Sequence, residues 1–80
     1  METIKGYVDH IIFRNSDNGY TVMVVNCDGE ELTCVGTLPV ISEGELIEAQ
    51  GRYTEHVTYG RQFQIQKLEM KAPELSLIHI

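Results

Sequence analysis

The stretch HVTYGRQFQIQ, residues 56–66, brings a tyrosine, a glycine, an arginine and a phenylalanine together in a protein with six basic and twelve acidic residues. Those side chains have one chemistry in common. Unpaired bases stack on aromatic rings, at about 1–3 kcal/mol per base, while cationic side chains follow the phosphate backbone. Tyr59 offers the ring, Arg14, Arg52 and Arg61 the charge, and His56 lies beside them. These five are the candidate nucleic-acid contacts. A structural reading stands next to that one. Gly60 can turn a hairpin at positive φ, with Tyr59 covering the end of the fold and Arg61 keeping its charge in water above an apolar stem. Gln62, Gln64 and Gln66 alternate with Phe63 and Ile65. They make a neutral polar face that is either solvated or in contact with bases or another protein.

Enzymatic chemistry finds no support. The sequence has no GxxxxGK[ST] phosphate loop, no GxGxxG, no HExxH and no GxSxG, so the usual nucleotide cradle, metalloprotease site and hydrolase elbow are missing. Acid pairs such as Glu30-Glu31 read as solvated turn carboxylates. With a net charge of −6, general attraction to phosphate is weak, because such affinity comes from clustered Lys and Arg. Any contact with nucleic acid must therefore be local.

Eighty residues, 42% of them hydrophobic and 22% charged, make one small globular domain with a thin core. No apolar run approaches the ~18 residues that span a bilayer, and METIKGYVDH lacks the features of a signal peptide. A cytoplasmic location without membrane contact is expected. Cys27 and Cys34 flank CDGEELTC, where a hairpin at Asp28-Gly29 would put them on adjacent strands. Without a secretory signal, two free buried thiols are expected rather than a disulfide. With His10 and His56 scattered, the thiols do not complete a four-ligand zinc set, and no cofactor is expected.

Extended segments must position the candidate residues. TIKGYVDHIIF (3–13) predicts a long first strand, bent at Gly6, and Asn18-Gly19 predicts the reversal after it. YTVMVVN (20–26) is apolar on both faces, as expected of a central strand in a small closed barrel. Asp28-Gly29 turns into a third strand over 31–37, with Leu32 and Cys34 facing one way. Pro39 and Gly44 then interrupt the ladder, leaving room for at most one helical turn. A fourth strand spans 45–53, with a bulge or tight bend expected at Gly51. A fifth spans 61–70, where the phase change between Phe63/Ile65 and Leu68/Met70 predicts a bulge near Gln66 or Lys67. Five antiparallel strands with glycine-marked bends predict an all-β barrel, either the partly open Greek-key OB-fold or an SH3-like barrel. In the OB arrangement the loops around Arg14 and Arg61 lie next to each other at one rim.

Residues 1–73 are expected to form this domain. LSLIHI (75–80) follows Pro73 and fits no remaining strand. The same six residues are encoded by the end of a transposon used to prepare sequencing libraries. Residues 74–80 are accordingly expected to be a non-native read-through tail, with a short sixth strand as the competing reading.

Three segments, GYVDHIIFRNSDNGYTVMVV (6–25), CVGTLPVISEGELIEAQGRY (34–53) and HVTYGRQFQI (56–65), carry a family likeness. Taken together they resemble the N-terminal domain of bacterial ATP-dependent RecD-like DNA helicases, the kind that works without RecB and RecC. The likeness runs over residues 3–73. It implies a parent enzyme moving 5′ to 3′ on single-stranded DNA, with ATP and Mg2+ used by motor domains downstream of this barrel. Asn18 to Val22 and Tyr59 to Phe63 match recurring segments of that family, for which fold maintenance and DNA contact are both open roles. Three readings follow. One is a non-catalytic N-terminal helicase module that contacts single-stranded DNA or docks on its own downstream domains. The others are a free-standing OB-type single-strand-binding protein and a protein-interaction barrel.

Overall fold

The computed structural model describes residues 1–58 and 60–71. It contains five strands: β1 Glu2–Arg14, β2 Tyr20–Cys27, β3 Glu30–Thr37, β4 Leu46–His56 and β5 Gly60–Lys71. They close in the order β1-β2-β3-β5-β4, with β4 returning to β1. Neighbours are antiparallel except β3 and β5, which run parallel through Cys34↔Phe63 and Val35↔Gln64. This is a barrel of the OB type, closed rather than partly open. Among the described residues no helix is long and apolar enough to cross a membrane.

Bulges keep the interior apolar. β1 pairs with β4 over Glu2 to Tyr7 and with β2 over Tyr7 to Arg14, so one long strand serves both sides of the barrel. Its register slips between Val8 and His10 and again between Ile11 and Phe13. Each extra residue reverses the side-chain phase. As a result Ile4, Val8, Ile11 and Arg14 turn inward, although their spacing is not alternate. The bend expected at Gly6 coincides with the handover at Tyr7. A Cβ on Gly6 would overlap the Asn26 carbonyl oxygen as β2 comes in.

The bulge expected near Gln66 or Lys67 is found at Gln66. Gln50 faces Lys67 and Gly51 faces Ile65, leaving Gln66 over. Gly51 permits this tight corner because any Cβ there would collide with the Gln64 carbonyl oxygen. After the bulge Leu68 lies opposite Ala49 and rejoins the core side.

The core contains Val8, Met23, Val25, Cys34, Ile47 and Phe63, all essentially without solvent exposure. One end is sealed by the β3–β4 connection, where Leu38 and Ile41 are buried. That connection follows the free edge of β1: Gly44 donates to the Val8 carbonyl, the Val8 amide donates to Glu45, and the Glu43 carboxylate accepts from the Ile11 amide. The Asp28-Gly29 reversal joins β2 to β3 with φ of 56° and 90°. It leaves Cys27 opposite Glu30 and Cys34 opposite Met23, with both thiols free.

Candidate nucleic-acid interface

The outer face of the barrel carries a groove of about 330 Å³ over β2 and β3. Its floor is Val22 and Val35, flanked by Phe13 and Tyr20 and closed on the far side by His56 and Gln62. Strand register explains the assembly. Phe13 faces Val22, Val22 faces Val35, Val35 faces Gln64, and Gln64 faces Arg52. Side chains directly opposite one another share a face of the sheet, so this row crosses the barrel surface from an aromatic ring to a guanidinium. Phe13 is 51% exposed and Tyr20 40%, a large exposure for rings on an ordered strand. Ile12, the residue left over in the second β1 bulge, also borders the groove.

Among the described residues, no Lys, Arg, Asp or Glu lines this groove. Its surface is mostly apolar, with Thr33, Gln62, His56 and the Tyr20 hydroxyl as polar groups. The His56 Nδ1 accepts a hydrogen bond from the Thr58 amide at 3.0 Å, which sets the ring at the start of the β4–β5 turn. Such a surface can stack planar rings and hydrogen-bond their edges.

The fold separates the five residues singled out in the sequence. His56 lines the groove. Arg52 is exposed on the same outer face, one strand beyond Gln64 and outside the lining. Arg61 pairs with Glu55, two residues from the buried Phe63 on the inward-facing phase, and its guanidinium carbon sits 4.8 Å from the centroid of the Tyr53 ring. That ring in turn meets Phe63 edge to face at 5.1 Å. Arg61 thus extends the core stack outward as a cation on an aromatic face.

Arg14 is turned inward. Its Nη1 donates to the Thr21 hydroxyl at 2.9 Å and to the Leu38 and Pro39 carbonyls at 3.2 Å each. The Thr21 hydroxyl, fully buried, donates onward to the Gly19 carbonyl. This guanidinium therefore ties the first reversal to the β3–β4 connection. Tyr59 lies outside the described residues, as does the tail at 74–80.

Arg14 and Arg61 have different partners: Arg14 is held by Thr21, Leu38 and Pro39, while Arg61 lies over the Tyr53 ring. The second β1 bulge rotates Arg14 off the face carrying Phe13.

Phe13, Tyr20, Val22 and Val35 line the groove and are not among the five residues singled out from the sequence. The signal was present in β2, where both phases are apolar. A single barrel has one interior, so a strand that is apolar on both faces also presents an apolar exterior. Deciding which phase faced out required the register.

Burial raises the Cys34 thiol to about 12, with Cys27 adding to the effect. Cys27 is raised as well, first by burial and then by Asp28 and Glu30. Neither thiol is a ready nucleophile at neutral pH. Among the described residues no His, Cys, Asp and Glu cluster is grouped to hold a metal ion.

A closed five-stranded barrel with an aromatic-flanked groove over β2 and β3 defines an OB-fold domain. The family described as the OB-fold domain of ATP-dependent DNA helicase YrrC matches residues 1–73, and the chain belongs to that family. It is also 32% identical over 74 residues to the ATP-dependent RecD2 DNA helicase of Deinococcus radiodurans, covering 86% of this chain and 10% of that protein. The chain thus spans about a tenth of the length of that relative.

Proposed function

We propose that this barrel is a non-catalytic N-terminal module of a RecD-like 5′ to 3′ DNA helicase, and that its β2–β3 groove takes unpaired bases of single-stranded DNA. One observation carries the reading: Phe13 and Tyr20 stand exposed beside an apolar floor of Val22 and Val35, with hydrogen-bonding Gln62 and His56 at the far edge. Membership of a helicase OB-fold family supports a module rather than a free-standing binding protein. The parent's ATP and Mg2+ would belong to motor domains, and work on chromosomal DNA implies a cytoplasmic location.

The mode of contact follows from a lining that carries no charged side chain among the described residues. Affinity comes from stacking, while Arg52 at the end of the row is the cation placed to meet a phosphate. Each neutralised phosphate of a single strand contributes about −0.7 to the slope of log affinity against log salt. A slope near one such unit is expected, which is shallow for a DNA-binding protein.

Fluorescence anisotropy of a labelled short oligothymidylate at low salt tests this. Phe13→Ala and Tyr20→Ala should each weaken binding by about 1–3 kcal/mol without changing the unfolding midpoint. Arg52→Ala should flatten the salt slope. Affinity unaffected by both aromatic replacements would refute the stacking groove and leave protein docking as the better reading.

A further inference from the structure

A second open groove, of about 600 Å³, lies toward the other end of the strands. Lys5, Tyr7, Asn26, Asp28 and Leu46 line it, with Gly6 at its floor. Tyr7 is 51% exposed, a third large ring facing outward that the stacking groove does not use. Lys5 and Asp28 make no ion pair with any described residue.

Register ties this groove to the point where the polypeptide leaves the barrel. Asn26 faces Tyr7, Tyr7 faces Leu46, and Leu46 faces Lys71, the last residue of β5. Whatever follows β5 therefore emerges one strand away from Leu46. In the relative, about nine tenths of the polypeptide lies outside the matched region. A segment tethered this closely has a high effective concentration, so a shallow groove with one exposed ring suffices to hold it. Tyr7 and Phe13 are separated by roughly 15–20 Å of β1, which lets the two grooves be filled at once.

We propose that the Tyr7–Leu46 groove docks the polypeptide that follows β5 in the full-length helicase, and so fixes the barrel relative to the rest of the enzyme. The occupant brings an apolar or aromatic side chain onto Tyr7 and Leu46, with polar or charged groups toward Lys5 and Asp28. The inference rests on the reading of the barrel as part of a longer helicase.

The test is photo-crosslinking in the full-length protein, with benzoylphenylalanine replacing Tyr7 and the adduct mapped by mass spectrometry. The expected product joins position 7 to a segment of the same polypeptide beyond residue 71, in a yield unchanged by tenfold dilution or by added oligothymidylate. An adduct to a second copy, lost on dilution, would overturn the proposal. So would an adduct to the oligonucleotide, or a yield no greater than with the probe at Val40, an 80% exposed position on the β3–β4 connection. The same probe at Phe13 separates the two proposals: DNA adducts there with no intramolecular adduct at 7 sink only the docking groove, and the reverse pattern sinks only the stacking groove.

Discussion

Two neighbouring rows of residues cross the same five strands and have opposite fates. Ile11, Met23, Cys34, Phe63 and Tyr53 form one row, which is buried except at its two ends. Phe13, Val22, Val35, Gln64 and Arg52 form the other, on the outside, with Phe13 half in water. Both begin with a large apolar side chain on β1 and end on β4. What separates them is one position of phase, set by bulges and closed by the parallel pairing of β3 with β5. Hydrophobicity alone therefore does not say which aromatic ring holds the fold and which can hold a ligand.

The sharpest way to break this contrast is Phe63→Ala. It removes a ring with no solvent exposure and should cost about 3–5 kcal/mol of stability, seen as a lower urea midpoint. Loss of oligonucleotide binding would follow only where the barrel unfolds. A Phe63→Ala loss no greater than that of Phe13→Ala would erase the distinction between the rows.

Cys34 tests the same row by pH. Its folded value is held up near 12 against an ordinary 9.0, so above pH 9 the unfolded state gives up a proton that the folded state keeps. Stability is then full below about pH 9 and falls as pH rises toward 12, by roughly 4 kcal/mol at the far end. Denaturation measured across that range should show a steeper decline for the parent than for Cys34→Ala. Equal slopes would mean that the thiol titrates freely in the fold.

Arg14 breaks the rule that charge lies outside. Arg14→Met keeps the stem but strips the donors from Thr21, Leu38 and Pro39. About 1.5–3 kcal/mol should be lost, with little change in the salt slope of DNA binding. A flattened slope at unchanged stability would return Arg14 to the list of phosphate contacts. Arg61→Ala is the smallest change. It removes an exposed cation from the face of Tyr53 and should cost about 0.5–1 kcal/mol, readable in the thermal midpoint.

Much of the architecture was legible in the residues. Asn18-Gly19 and Asp28-Gly29 announced their reversals, Gly51 its corner, and the phase break between Ile65 and Leu68 its bulge, because each is a local requirement of the backbone. The two bulges of β1 were not legible, since VDHIIFR contains no glycine or proline to mark them. The site suffered for it. His56 is in the groove and Arg52 on its face, yet Arg14 is turned inward by the bulge at Ile12, and the rings of Phe13 and Tyr20 went unremarked.

Composition, turn chemistry and alternation by themselves determined that these residues make a small five-stranded β-barrel, because strand type and reversal depend on neighbours in sequence. Which face became interior, which arginine gave its donors to backbone carbonyls, and which rings were left in water were decided by the bulges of β1 and by the closure of the barrel. Those outcomes depend on register between strands far apart in the sequence, and a slip of one residue would have exchanged them.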